Sequence, residues 1–369
     1  MKMLNFNGMT PSVPIVQGGM GVGISLSGLA SAVASEGGVG VISCAGLGLI
    51  YRDLSSSFTQ ACILGLREEI KKARAKTTGI LGVNIMVALT NYVDMVKESI
   101  ASEIDIIFSG AGLPLDLPKY LTPGSKTRLV PIVSSDRAAK IICQKWFSLY
   151  NYIPDAIVLE GPKAGGHLGY SLEQIDDEDY SLEHTLPKVL AFADEFEKLH
   201  GKAIPVIAAG GIYTGEDMFK IMEMGASGVQ MGSRFVTTSE CDASPLFKQM
   251  YVDSKQNDIN IIKSPVGMPG RAIMGKFLED VKAGLKRPKV CPFHCIKTCD
   301  ISTSPYCIMS ALYQAFKGNF SLGYAFAGSN AYKAQDITSV KETISLLMAE
   351  YTMKVKEKLQ EKLLEKIAQ

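Results

Sequence analysis

A chain of 369 residues with 47% hydrophobic and 20% charged side chains is long enough for one large domain with an addition, and too apolar for disorder. Its 38 basic and 37 acidic side chains nearly cancel, which leaves no field to draw nucleic acid or an anionic membrane surface. No run of about 18 apolar residues is free of charge and glycine, the first residues hold no continuous signal-peptide core, and the eight cysteines make no secreted disulfide framework, so a reduced, cytoplasmic protein without a membrane span is expected.

Apolar runs then recur along the chain. They are residues 13–17 (VPIVQ), 39–43 (VGVIS), 81–87 (LGVNIMV), 104–108 (IDIIF), 129–133 (LVPIV), 156–159 (AIVL), 204–208 (IPVIA) and 228–231 (GVQM). Each is apolar throughout and not alternating, as expected of parallel strands covered on both faces. Helical spacing falls between them, over 26–35, 54–76, 91–102, 136–149, 186–200 and 215–224. Strand–helix alternation of this count and length predicts an α/β (β/α)8 TIM barrel; a doubly wound open sheet is the alternative, since periodicity does not reveal closure.

In such a barrel the chemistry sits where the strands end. The glycine-rich and polar residues fall there. Gly18, Gly19, Met20 and Gly21 follow the first run, Asn84 lies in the third, and Gly110 to Gly112 follow the fourth. Glu160, Gly165, Gly166 and His167 follow the sixth, Gly210 and Gly211 the seventh, and Gly232 and Ser233 the eighth, next to Gln230 and Met231. The last two loops are where barrels bind phosphate through backbone N–H groups. Two glycines before His167 let a flat ligand approach, and an imidazole titrates near neutrality. The plain alternative is a tight turn with a solvated histidine.

Past residue 240 the rhythm changes. Residues 245–251 read as helix, 261–270 as turns, and 271–318 as a helical appendage broken by Pro288, Pro292 and Pro305. The aromatic and glycine-rich stretch 320–328 (FSLGYAFAG) suits a lid over the open end of the barrel. Residues 337–368 read as a long helix whose charged end is solvated or forms a modest homodimer seam. The division expected is a ligand-binding barrel over 1–238, a mostly helical lid or substrate-side segment over 239–330, and a helix packing back on the barrel over 331–369.

The segments 14–20 (PIVQGGM), 82–86 (GVNIM), 164–167 (AGGH), 204–212 (IPVIAAGGI) and 225–235 (GASGVQMGSRF) resemble the nitronate monooxygenase family, formerly called 2-nitropropane dioxygenase, and its close relative, the FMN-dependent enoyl-acyl-carrier-protein reductase II. The resemblance implies a barrel holding FMN without a covalent link. Phosphate would rest on Gly211, Gly232 and Ser233, and the ring against Gly19, Met20 and Gly21 with Asn84 and Gln230 on its polar edge. Gly165 and Gly166 would let the ring approach; Glu160, Gly210 and Met231 would complete the cofactor contacts; His167 matches the family's catalytic base. One implied reaction is oxidation of alkyl nitronates by O2 to a carbonyl compound and nitrite. The other is NAD(P)H-dependent reduction of an enoyl thioester, for which Lys163, Arg271 and Lys276 are candidate rim cations. A third reading is a non-catalytic FMN-binding subunit. Lys163 stands where many relatives carry an acidic residue, and the loop 173–183 is acidic.

Cys291, Cys295, Cys299 and Cys307 crowd a short stretch, the first three spaced to share one face of a helix. Soft thiolates so placed suit zinc or an iron–sulfur cluster, but the spacing matches no usual CxxC knuckle. The reading adopted is buried free cysteines and no metal. His184, His200 and His294 read as solvated, and Trp146 as a packing residue.

Overall fold

A computed structural model describes residues 3–368. Its strands in chain order are β1 (Ile15–Gln17), β2 (Gly40–Ser43), β3 (Leu81–Met86), β4 (Ile106–Gly110), β5 (Arg128–Val133), β6 (Ile157–Glu160), β7 (Gly166–His167), β8 (Val206–Ala209), β9 (Gly228–Met231), β10 (Ile259–Lys263) and β11 (Pro269–Ile273). Eight of them form one parallel sheet in the order β1-β9-β8-β6-β5-β4-β3-β2. The sheet closes between its ends. Val16 bridges Val39, with Gln17 N–H donating to Val39 O and Val39 N–H to Ile15 O, both at 2.9 Å. The fully buried side chain of Gln17 extends that seam: its amide donates to Val41 O at 3.2 Å and accepts from Val41 N at 3.0 Å. The (β/α)8 barrel is therefore closed, and the open-sheet alternative falls.

Two apolar layers hold it. The interior is filled by Val16, Val41, Phe108, Val130, Val158 and Ile207, with Leu4 and Phe6 plugging the N-terminal end. A Cβ on Gly82 would lie 2.7 Å from the Phe108 ring, so the glycine makes room for the largest interior side chain. The outer layer packs helices such as Ser27–Ser35, Phe58–Arg74, Asp136–Tyr150 and Leu182–His200 on the strands. Trp146 is fully buried there and donates from Nε1 to Pro114 O at 2.9 Å. Between β4 and β5 only the short helix Leu117–Tyr120 forms, because Pro114, Pro118 and Pro123 break the segment. The slot beside β9 is taken by the long terminal helix Val340–Ala368, which packs on Gly215–Glu223 and Ser27–Ser35.

The segment after the barrel is less helical than its sequence suggests. Residues 259–273 form the antiparallel hairpin β10–β11, and β11 pairs with β7. The α-helices of 239–330 are Pro245–Asp253, Lys276–Lys282 and Ile308–Phe316, with a single 3-10 turn at Gln256–Asp258. Cys291, Cys295 and Cys299 lie on no helix, so the shared helical face does not exist. Among the described residues, no helix is long and apolar enough to cross a membrane.

Candidate active site

A cavity of about 470 Å³ opens at the C-terminal ends of the barrel strands, within the size range of small-molecule and cofactor sites. It is lined by Gly19, Met20, Gly21, Asn84, Glu160, Gly165, Gly166, His167, Gly210, Gly211, Gln230, Met231, Gly232 and Ser233. Every site residue expected from the sequence is thus in one place. Later segments supply walls the sequence did not announce: Val266 and Met268 from the hairpin, Met309 from helix Ile308–Phe316, and Phe326, Gly328 and Asn330.

His167 does not hang from the end of β6. It belongs to β7, paired with Gly270 of the hairpin, while Gly166 pairs with Arg271. Its Nε2 lies 2.7 Å from Ser264 Oγ, and the Phe326 ring packs edge-on at 5.0 Å. Burial pushes the imidazole down to about 4. Across the same cavity, burial lifts the Glu160 carboxyl to about 7. A neutral imidazole and a half-protonated carboxyl at neutral pH are the paired, opposite shifts expected of proton-handling groups.

The glycines divide into two kinds. A Cβ on Gly19 would meet Asn84 Cβ at 2.3 Å, and one on Gly165 would meet Ala327 C at 2.5 Å, so these two are required by chain packing. Gly18 and Gly232 keep their nearest neighbours at 3.6 and 3.4 Å, and a Cβ on Gly166 would meet nothing within 4 Å. Gly166 also sits at φ +81°, where a side chain is strained. Open wall is therefore concentrated at Gly18, Gly166 and Gly232.

The phosphate-type loops are braced from the chain's far end. Gly328 N donates to Ser233 Oγ at 2.9 Å, Asn330 Nδ2 to Gly211 O at 2.5 Å, and Ser329 N to Lys163 O at 3.1 Å. Among the described residues, no protein group accepts from the backbone N–H of Gly211, Gly232 or Ser233. The start of helix Ser27–Ser35, beyond the glycine-rich turn after β1, offers no such donors. Asp242 accepts from the N–H groups of Leu26, Gly28 and Leu29 at 2.7, 3.0 and 3.1 Å, which fills the start of helix Ser27–Ser35 with protein carboxylate. That helix start is closed to an anionic ligand, whereas the amides of the β8 and β9 loops are open to one. Open wall, free amides and a carboxyl at one end of the cavity together fit a flat ligand with an anionic tail.

Two candidate rim cations are otherwise engaged. Arg271 is 8% exposed and its Nη1 donates to the carbonyls of Pro162 and Ala164. Lys276 pairs with Asp280 at 2.6 Å. Cys295 has Cys307, Cys291 and Cys299 as electrostatic neighbours, and burial pushes its thiol up to about 12. Among the described residues, no group of three or more His, Cys, Asp or Glu side chains is arranged to hold a metal ion. His184 caps locally with Ser181, and His200 lies against the rings of Phe147 and Phe196.

A profile of nitronate monooxygenases matches residues 5–114 and 90–350. The chain belongs to the nitronate monooxygenase family. This is a family of flavin-dependent oxidoreductases. A probable nitronate monooxygenase of Staphylococcus aureus (strain Newman) is 36% identical over 127 residues, 34% of either chain, so the match spans about a third of that relative's length. FabK of Thermotoga maritima superposes with a TM-score of 0.72 at 28% identity, covering 95% of this chain and 96% of that one. A nitroalkane oxidase of Streptomyces ansochromogenes superposes with a TM-score of 0.70 at 20% identity over 93% of this chain and 96% of that one, a likeness of fold.

Proposed function

We propose that this nitronate monooxygenase family member binds FMN and oxidises alkyl nitronates with O2 to a carbonyl compound and nitrite. The observation that carries the reading is the placement of His167 beside the open wall at Gly166, in one cavity with unspent amides at Gly211, Gly232 and Ser233. FMN, when bound, supplies the electron-accepting ring and the reaction with oxygen.

The chain's own groups do the rest. The amides of Gly211, Gly232 and Ser233 hold the phosphate, backed by Ser233 Oγ. Gly19, Met20, Gly21 and Gly166 border the ring, and Asn84 and Gln230 bond its polar edge. Glu160, Gly165, Gly210 and Met231 complete the pocket. His167 meets the reacting end of the substrate, either taking a proton from the carbon next to the nitro group or hydrogen-bonding a nitronate that arrives as an anion. Met268 and Phe326 of the later segments keep water from that end. We propose the division 1–238 for the FMN-binding barrel, 239–330 for the substrate-side segment, and 331–369 for the terminal segment that carries the packing helix Val340–Ala368.

The test is product analysis. Purified flavin-loaded protein given ethylnitronate in air should consume O2 and release acetaldehyde and nitrite in equal amounts. Oxygen uptake without nitrite would contradict the reading.

The second reading is an NAD(P)H-dependent flavin enoyl-acyl-carrier-protein reductase, supported by the likeness to FabK along nearly the whole chain. An acidic carrier protein calls for a basic rim. Arg271 is buried on carbonyls and Lys276 is paired, which leaves Lys163 of the three candidates and favours the first reading.

A further inference from the structure

Ser264 lies at the turn of hairpin β10–β11 and is 3% exposed. The turn fixes it from both sides: its N–H donates to Met268 O at 3.2 Å, and its C=O accepts from Gly267 N at 3.1 Å. Its Oγ accepts from Val266 N at 3.4 Å and meets His167 Nε2 at 2.7 Å.

The short contact has two protonation patterns. If Nε2 carries the ring hydrogen, the Ser264 hydroxyl hydrogen needs another acceptor, and none is present among the described residues. If the hydroxyl donates to Nε2, both sides of Oγ are satisfied: Val266 gives and His167 takes. The ring hydrogen then sits on Nδ1, which makes no hydrogen bond to a described residue and belongs to a ring lining the cavity. A buried donor left without a partner costs about 1–3 kcal/mol, enough for a tautomer ratio of roughly five- to 150-fold. Phe326, edge-on to the imidazole at 5.0 Å, restricts the ring flip that would undo the choice.

We propose that Ser264 is a positioning residue that holds His167 as its Nδ1–H tautomer, so that the imidazole offers substrate a hydrogen-bond donor and not a lone pair. The proposal rests on the assignment of His167 to nitronate oxidation and narrows the substrate class. A nitronate arrives already deprotonated, and its oxygen accepts from Nδ1–H. A neutral nitroalkane must lose a C–H proton to a base, and that lone pair is withheld. Burial works in the same direction by suppressing the imidazole's basicity.

The experiment is nitrogen-15 NMR of the flavin-loaded protein labelled in histidine. The chain has only 4 histidines, so His167→Asn assigns the signal by its loss. The wild type should show a protonated Nδ1 and a bare Nε2 at His167. Ser264→Ala should give a mixture of tautomers, and Ser264→Thr should restore the single one. In turnover, Ser264→Ala should lower kcat on ethylnitronate about tenfold with KM within about threefold, and raise the rate on nitroethane relative to ethylnitronate. A wild-type Nε2–H tautomer, or a tautomer indifferent to Ser264→Ala, would overturn the proposal. If the protein turns over no nitronate, the functional reading fails while the NMR result still decides the role of Ser264.

Discussion

Arg271 pairs with Gly166 across the β11–β7 ladder and reaches forward to the carbonyls on either side of Lys163, those of Pro162 and Ala164. One buried side chain therefore ties the hairpin that carries Ser264 to the loop that delivers His167. Arg271→Met leaves two carbonyls unpaired and lets the loop drift. A misplacement near 1 Å costs about a hundredfold in rate, so kcat on ethylnitronate should fall to about that extent. The lost charge-assisted bonds should lower stability by about 1.5–3 kcal/mol each. Steady-state kinetics and denaturant melts check both.

His167→Ala should lower kcat/KM on ethylnitronate by about 10²–10³-fold, the range for losing a proton-handling or oxyanion-binding group. Flavin content should be unchanged, because the substitution leaves the backbone of Gly166 and the amides of Gly211, Gly232 and Ser233 in place. A change within threefold would remove His167 from the reaction.

The glycine contrast is open to direct test. Gly166→Ala meets no atom within 4 Å and carries only the φ +81° strain, about 1–2 kcal/mol, so the protein should fold. Its affinity for FMN, read by fluorescence quenching, should fall by roughly tenfold or more, since the methyl enters ligand space. Gly19→Ala drives a Cβ to 2.3 Å from Asn84 Cβ and should lose about 1–3 kcal/mol of stability with or without flavin.

Opposed titrations of Glu160 and His167 shape stability in the flavin-free protein. The folded state keeps Glu160 protonated up to about 7 against an ordinary 4.5, so its contribution declines as pH rises through that window. His167 stays neutral down to about 4 against an ordinary 6.5, so its contribution grows as pH rises from 4 to 6.5 and is lost on acidification. The two trends offset each other in the wild type. Glu160→Gln should unmask a Tm that climbs from pH 4 to 6.5, and His167→Asn a Tm that falls toward pH 7. Melting curves across pH 4–8 read both.

The terminal helix depends on one small residue. A Cβ at Gly215 would come within 2.2 Å of Leu347 O, and Gly215 N donates to Glu350 Oε2 at 2.6 Å. Gly215→Ala should push helix Val340–Ala368 off the barrel, lower stability by about 1–3 kcal/mol and expose the helix to proteolysis.

The barrel was legible in sequence because its strands are local and apolar, and each of the eight runs overlaps a barrel strand. The floor of the site followed, since Asn84, Glu160 and Gln230 are strand residues and the glycines end strands. What stayed hidden is set by long-range pairing. The strand Gly166–His167 exists only because Pro269–Ile273 lies beside it, and neither the Ser264 contact nor the Arg271 bonds have a local signature. Asp242 capping helix Ser27–Ser35 is of the same kind. The hairpin's residues 259–263 (INIIK) and 269–273 (PGRAI) are too short and mixed to separate from turn.

The central claim is that the cavity holding His167 oxidises nitronates. The most direct measurement is anaerobic mixing of the FMN-loaded protein with ethylnitronate in one syringe and with NADH or NADPH in another, followed through the flavin's visible absorption. Rapid bleaching by ethylnitronate, with the nicotinamides slow or inert, is the predicted result. Bleaching by NADH or NADPH alone would contradict it.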